Sequence, residues 1–190
     1  MWKQLRTALV LLALMTVLCG GIYPLAVTAC AQLLFREQAN GNLAVEHGRV
    51  VGSRLIGQPF DEPRYFWGRP SATAPFPYDG AASGGSNLGP SNPALRGVVA
   101  ERTHRLRASD PGNAAPIPVD LVTASASGLD PHVSASAALW QVPRVARARG
   151  FDEAGVRQLV ERYTEGRQLG LLGERRVNVA ELNRALDRMR

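Results

Sequence analysis

The feature that most constrains the fold is an uncharged segment near the N-terminus. No charged side chain occurs between Thr7 and Phe35, and about 20 apolar residues suffice to cross a hydrocarbon core of about 30 Å. The sequence therefore predicts one membrane-spanning anchor helix within residues 1–35, with its apolar core at about 7–31. Pro24 falls late in this run, where it indicates either a kink or the exit of the helix near Tyr23.

The charges before this segment predict its orientation. Lys3 and Arg6 precede the apolar run, and the positive-inside rule then predicts a cytoplasmic N-terminus and an extracytoplasmic location for residues 36–190. A cleaved signal peptide is the alternative, because Ala29-Cys30-Ala31 has the form of a cleavage site. Cleavage there would require an apolar region longer than the usual stretch of about 7 to 15 residues. A retained anchor is therefore favoured.

Composition excludes several function classes. Lys3 is the only lysine, so neither a Walker phosphate-binding loop nor a Schiff-base lysine is available beyond the anchor. The net charge of +6 comes from arginines scattered among acidic residues, which does not favour nucleic-acid binding. The only cysteines, Cys19 and Cys30, lie in the apolar segment. The histidines are dispersed and do not indicate a metal site; they are His47, His104 and His132.

The remainder predicts one mixed α/β domain, so that the fold class is α+β with an N-terminal membrane helix and a helix-rich C-terminal part. Strands are predicted at 48–58 and 118–123, and helices at 93–107 and 133–149. Pro143 interrupts the second helical stretch, which predicts either a kink or two short helices there. Two further helices are predicted after the N-cap residues Asp152 and Asn178.

Residues 68–93 are rich in Gly, Pro, Ser and Asn, a composition that predicts a long loop. Nearby aromatic residues argue against disorder, and the interpretation is an ordered recognition loop; the aromatic residues are Tyr65, Phe66, Trp67, Phe76 and Tyr78. Arg64 and Arg69 flank the aromatic block, which forms either a cation-π surface for a partner or the cover of a core edge.

A second polar cluster suggests an alternative function. Ser125, Ser127, Asp130 and His132 lie close together in the chain, a combination of residue types that a signal-anchored hydrolase would use. The spacing is unlike a nucleophile elbow, and triad members normally come from distant segments. A turn at Gly128 and Pro131 before the next helix, with His132 or Ser134 near its cap, is the favoured interpretation.

Several long segments resemble one known family. They are LIGQPFDEPRYFWGRPSA (55–72), SGGSNLGPSNPAL (83–95), PVDLVTASASGLDPHVSASAA (118–138), RVARARG (144–150) and LGLLGERRVNVAELNRALD (169–187). In this order they resemble the KdpC family, the C subunits of Kdp potassium-transporting ATPases, from the anchor to the C-terminus.

The resemblance implies a noncatalytic subunit of a bacterial inner-membrane complex that imports potassium with ATP. In that family the A subunit carries potassium selectivity and the B subunit is the P-type ATPase. The C subunit is thought to support assembly and to raise the affinity of the B subunit for ATP. No cofactor or metal is then expected on this chain, and ATP enters through the complex.

Candidate contact residues follow from these interpretations. Aromatic, charged and polar side chains in loops often bind partners. The sequence therefore predicts contacts with the other subunits at Tyr65, Phe66, Trp67, Arg69, Ser83, Asn87 and Asn92. Small residues of the anchor predict close approach to partner helices within the lipid bilayer; they are Gly20, Gly21, Ala26, Thr28 and Ala29.

Overall fold

A computed structural model of the chain describes residues 1–46 and 48–189, so His47 lies outside the described residues. The backbone divides into two compact units, Met1–Ser53 and Arg54–Arg190, and each is described by itself.

The first unit consists of the apolar helical segment and a short hairpin. Helix α1 (Trp2–Val17), a π-helical turn (Leu18–Ile22) and helix α2 (Tyr23–Leu34) follow one another without a break. Together they form one candidate membrane span, Trp2–Leu34, with a mean hydropathy of 2.2. The segment is followed by helix α3 (Arg36–Ala39) and by an antiparallel pair, β1 (Leu43–Glu46) and β2 (Arg49–Ser53).

The π-helical turn lies directly before Pro24, and the helix continues beyond this residue to Leu34. Pro24 has no N–H to donate within the helix. The wider turn, closed by a hydrogen bond from the Tyr23 N–H to the Leu18 carbonyl, is the kind of local adjustment that accommodates such a residue inside a membrane helix. Of the two expectations for Pro24, exit of the helix near Tyr23 is wrong.

The second unit has helices packed around a small sheet. Its elements are α4 (Pro93–Ser109), a 3₁₀ turn (Val119–Leu121), β3 (His132–Ser134), α5 (Ala135–Arg149), α6 (Glu153–Arg162), β4 (Thr164–Glu165), β5 (Arg176–Asn178) and α7 (Val179–Asp187). The sheet order is β3-β5-β4, with both pairs antiparallel. The predicted mixed α/β class is confirmed.

The C-terminal helices begin where the cap signals predict. The side chain of Asp152 accepts a hydrogen bond from the Gly155 N–H at 3.2 Å, and that of Asn178 accepts one from the Glu181 N–H at 3.1 Å. These contacts satisfy donors that the first helical turn leaves unpaired. The apolar faces then pack into the core, where Val156, Val160, Leu182 and Leu186 are wholly buried.

Two local predictions are wrong. Residues 118–123 contain the 3₁₀ turn Val119–Leu121 instead of a strand. Leu121 and Val122 are both buried, whereas adjacent residues of a strand point to opposite faces. Of the two expectations for Pro143, a division into two short helices is wrong, because α5 runs through Pro143 as a single helix. Core packing on both sides of the proline, at Val142 and Val145, outweighs the one hydrogen bond that proline removes.

Candidate functional site

The aromatic block lies in a segment without helix or strand that is held by side-chain amides. Asn183 Oδ1 accepts from the Phe66 N–H, and Asn183 Nδ2 donates to the Phe66 carbonyl, both at 2.9 Å. Gln141 does the same for the next residue, accepting from the Trp67 N–H at 2.8 Å and donating to the Trp67 carbonyl at 3.1 Å. Because both amides are buried, they replace the hydrogen bonds that a neighbouring strand would supply. We call this arrangement the amide clamp.

A buried arginine reinforces the amide clamp. Arg144 donates to the carbonyls of Pro63 at 2.5 Å and Tyr65 at 3.0 Å, and its guanidinium lies 4.3 Å from the centre of the Trp67 ring. Burial lowers the pKa of Arg144 to about 10, although the charge of Asp110 acts in the opposite direction. The guanidinium therefore serves as a cationic hydrogen-bond donor in the core and not as a surface charge.

The amide clamp places part of the aromatic block inside the domain. Phe66 is 0% exposed and Trp67 is 9% exposed, so the two side chains belong to the core edge that was the alternative interpretation. Tyr65 remains partly exposed, between the guanidinium groups of Arg64 at 5.0 Å and Arg149 at 4.8 Å. Direct contact between this block and a partner stays a prediction, with Tyr65 and Arg69 as the available side chains.

Arg69 joins the block to the polar cluster at 125–132. Its Nη1 lies 3.4 Å from Asp130 Oδ2, and its Nη2 donates to the Ala124 carbonyl at 3.2 Å. Burial alone would raise the pKa of Asp130, but hydrogen bonds from the side chain and backbone of His132, with the charges of His132 and Arg69, outweigh it and lower the pKa. Arg69 and Asp130 therefore form a charged pair that fixes two loops together.

Two clefts meet at Arg69. One, of about 350 Å³, is lined by Trp67, Tyr78, Arg102 and Arg105 among others. The second, of about 540 Å³ and more open, includes Asp130, His132 and Arg175. Both clefts are lined by arginine side chains together with other polar groups.

Tyr78 anchors the first part of the loop. Its hydroxyl donates to the Arg69 carbonyl at 2.6 Å, and burial, with the nearby charge of Asp130, raises its pKa to about 12 although Arg69 acts in the opposite direction. The ring lies over two glycines, since a Cβ built on Gly57 would be 2.3 Å from the ring and one on Gly68 would be 2.7 Å from the hydroxyl. Only glycine leaves room for the ring at these two positions.

The glycine-rich part of the loop is tied to the polar cluster. Ser83 Oγ and the Gly84 N–H both donate to the Ser127 carbonyl, at 3.0 Å and 2.9 Å. Asn87 is exposed and has a φ of 51°, a conformation that asparagine tolerates better than most residues. Asn92 caps α4 by accepting from the Ala94 N–H at 2.9 Å. These three candidate contact residues are thus structurally positioned, and their contact with a partner stays a prediction.

The polar cluster has turn geometry instead of the geometry of a hydrolase. Ser127 Oγ accepts from the Leu129 N–H at 3.1 Å, and Asp130 Oδ1 accepts from the His132 N–H at 3.0 Å. Ser125 is buried, and Ser134 caps α5. Local side-chain to backbone bonds of this kind stabilise turns, and they do not favour the hydrolase alternative.

The anchor residues proposed for helix packing lie on an exposed helical surface. A Cβ built on Gly20 or Gly21 would meet nothing within 4 Å, and both glycines lie in the π-helical turn. Ala26, Thr28 and Ala29 follow in α2 and are exposed. Their use by partner helices stays a prediction.

Sequence reasoning missed the residues that hold the site, which are Gln141, Arg144 and Asn183. A usable signal was present, because each polar residue occurs on a helical face that is otherwise apolar, beside Val142, Val145 or Leu182. A buried polar side chain normally has a dedicated hydrogen-bond partner. The sequence does not identify the hydrogen-bond partners of these side chains, because the partners lie 74 to 117 residues away in the chain.

An apolar helix long enough to cross a bilayer, together with a mixed α/β fold, indicates a membrane protein with one candidate span among the described residues. Residues 5–188 match the family model described as KdpC, K⁺-transporting ATPase, c chain. The chain belongs to this family and is an accessory subunit instead of a stand-alone enzyme, and the resemblance inferred from the sequence is confirmed.

Individual relatives agree over their full length. Three carry the name potassium-transporting ATPase KdpC subunit. The protein of Sorangium cellulosum is 65% identical over 98% of each chain. That of Methylococcus capsulatus is 58% identical over 100% of each chain, and that of Polaromonas naphthalenivorans is 62% identical over 98% of this chain and 95% of its own.

Proposed function

We propose that the chain is the noncatalytic subunit that assembles a bacterial ATP-driven potassium importer and raises the affinity of its ATP-hydrolysing B subunit for ATP. The observation that carries the proposal is the family match over residues 5–188. The potassium-translocating A subunit is the second partner in this proposal. ATP then acts on the complex and is not held by this chain.

The proposed location is the inner membrane, with the N-terminus in the cytoplasm and the second unit outside. Lys3 and Arg6 before the candidate span support this orientation, because positive charges remain on the cytoplasmic side. The second unit then lies across the membrane from cytoplasmic ATP. An effect on ATP affinity must accordingly be a coupling free energy, in which this subunit favours the nucleotide-competent state of the complex.

Deletion of the subunit tests the coupling. Coupling between two sites typically corresponds to a change in affinity of about 5-fold to 150-fold. We expect complexes of the A and B subunits without this chain to show a KM for ATP raised within that range, or to fail to co-purify. An intact complex with an unchanged KM would refute the proposed role.

A cysteine accessibility experiment tests the orientation. The only cysteines, Cys19 and Cys30, lie in the candidate span, so a Cys19→Ser, Cys30→Ser background accepts a single reporter. A cysteine replacing the exposed Ala114 should react in intact cells with a reagent that does not cross the inner membrane. Labelling only after lysis would contradict the proposed topology.

Partner contact at the loop is tested with a substitution that spares the backbone. Asn87→Gly removes an exposed side chain but keeps the φ of 51° available. We expect reduced recovery of the complex without a change in the Tm of the isolated chain. The control is Arg157→Ala on the exposed side of α6, and equal recovery of both variants would remove Asn87 from the proposed contact.

Helix packing is tested at Gly21, where an added Cβ would meet nothing within 4 Å outside the adjoining helix backbone. Gly21→Leu should therefore leave the isolated helix undisturbed and weaken assembly, since small residues allow membrane helices to approach closely. Val10→Leu on α1 is the control. If replacement of residues 7–31 by an unrelated anchor leaves the complex intact, the segment is only a tether.

A further inference from the structure

The loop between β4 and β5 projects from the domain as an exposed hairpin. Every residue from Glu165 to Arg176 is exposed, and we call this segment the leucine arm. Its tip carries Leu169, Leu171 and Leu172, which are 91%, 80% and 61% exposed. Isolated apolar side chains on a surface are ordinary, but an apolar cluster on a projecting tip usually marks an interaction site.

The folding of the arm does not require leucine at its tip. Leu169 has a φ of +54°, in the left-handed region that costs a branched side chain more than it costs glycine or asparagine. Gly170 and Gly173, with φ of 75° and 77°, supply similar turns at no such cost. A leucine that is strained and nearly fully exposed gains nothing within the domain, so its benefit has to come from an external contact.

The backbone of the arm is prepared for an apolar environment. The arm is closed at its base by the pairing of Glu165 with Arg176 and near its tip by a bridge between Gln168 and Leu172. The N–H groups of Gln168 and Leu172 donate within the arm at 2.8 Å and 2.9 Å, and those of Gly170 and Leu171 do so at 3.1 Å. Backbone donors that are already paired avoid the cost of entering a medium without water.

Arginines surround the base of the apolar tip. Arg167 forms an ion pair with Glu174 at 3.1 Å, and Arg176 forms one with Glu165 at 2.8 Å. Arg175 in the arm and Arg162 just before it are also exposed, and the segment 162–176 contains more cations than anions. Leucines at a tip and arginines around its base match the order of a bilayer surface, in which lipid phosphates lie outside the acyl chains.

We propose that the leucine arm docks on the lipid bilayer, with the leucines at the boundary between headgroups and acyl chains and the arginines on anionic lipid phosphates. The candidate span Trp2–Leu34 would tether the chain to this bilayer. A tether of this kind makes the contact between the arm and the bilayer intramolecular. Even a weak affinity of the arm for lipid is then enough to keep the arm docked. The arm thus gives the domain a second attachment to the membrane.

Spin-label accessibility tests this proposal. The full chain, with Cys19→Ser, Cys30→Ser and Leu171→Cys, is placed in nanodiscs of phosphatidylcholine with about one fifth phosphatidylglycerol, in the range of anionic content that attracts basic segments. A label in lipid collides with oxygen more than with a water-soluble nickel chelate. We expect this pattern at position 171 and the reverse at the control position, Ala114→Cys. Equal nickel access at the two positions would overturn the proposal.

A second set of variants separates docking from folding. Leu169→Ser with Leu172→Ser should restore nickel access at position 171 at least several-fold while the Tm of the domain stays unchanged, because both leucines are outside the core. Raising the salt concentration should act in the same direction by screening the arginines. Accessibility that is unaffected by these changes would contradict lipid docking.

The assembled complex supplies the decisive comparison. If the label at position 171 becomes shielded from oxygen and nickel alike when the other subunits are present, the arm binds a protein groove and the proposal is wrong. Retention of the lipid pattern supports it. These outcomes are independent of the ATP measurements on the subunit deletion, so this proposal and the proposed function can fail separately.

Discussion

Replacement of Gln141 by methionine isolates the contribution of the amide clamp. Methionine matches glutamine in its unbranched shape and in helix propensity, but it cannot bond the Trp67 N–H and carbonyl, which now have Gln141 partners at 2.8 Å and 3.1 Å. Leaving a buried polar group unpaired costs about 1–3 kcal/mol. Arg144 Nη2, which donates to Gln141 Oε1 at 2.6 Å, loses its partner as well. Three such groups give an expected loss of about 3–9 kcal/mol, a large part of a typical total of about 5–15 kcal/mol.

The measurement is urea unfolding of the full chain in detergent, followed by the fluorescence of the core residues Trp67 and Trp140. Gln158→Met is the matched control, since Gln158 lies on the exposed face of α6 and surface changes usually alter stability by no more than about 0.5 kcal/mol. We expect a lower midpoint for Gln141→Met with an unchanged slope. Equal midpoints for the two variants would refute the assigned role of the amide clamp.

Three further changes test the loops and the last helix. The pKa of Asp130 is lowered in the folded protein. The stabilising contribution of its carboxylate is therefore present above the unfolded pKa of about 3.9 and is lost as the pH falls through the lower folded value. The difference in Tm between the wild type and Asp130→Asn should shrink in acid, and a constant difference would contradict this. Gly57→Ala should cost about 1–3 kcal/mol in chemical unfolding by clashing with Tyr78, whereas Gly112→Ala, where a Cβ meets nothing within 4 Å, should be nearly neutral. Asn178→Ala should lower the free energy of unfolding by about 1–2 kcal/mol because a helix cap is lost. Thermal unfolding followed by circular dichroism measures the Tm, and an unchanged Tm would contradict this expectation.

Local signals in the sequence were sufficient for the helical part of the fold. The caps at Asp152 and Asn178 and the apolar stripes after them depend on neighbours within a few residues. The path of residues 54–92 could not be predicted in the same way. Phe66 takes its hydrogen-bond partners from a residue 117 positions away, and short-range periodicity contains no information about such a contact.

The candidate contact residues show the same limit of prediction from local sequence. Composition directed attention to the region around Tyr65 and Arg69, but it could not separate buried aromatic residues from exposed ones. Phe66 and Tyr65 are adjacent and differ in burial, whereas Phe66 and Trp67 are adjacent and both buried, so a simple alternation along the chain does not separate them. The role of each residue therefore depends on which side chain faces the core.

The amide clamp also connects the loop to the stability of the whole domain. Residues 54–92 contain no helix or strand within the described part of the chain, so the position of their aromatic block depends on Gln141 in α5 and Asn183 in α7. A partner that binds this region in its native conformation must stabilise the domain by linkage. Because Gln141→Met loosens the region that the partner binds, it should also weaken that binding, and its stability deficit should be larger in the assembled complex than in the isolated chain. A deficit of equal size in both would show that the partner binds elsewhere on the domain.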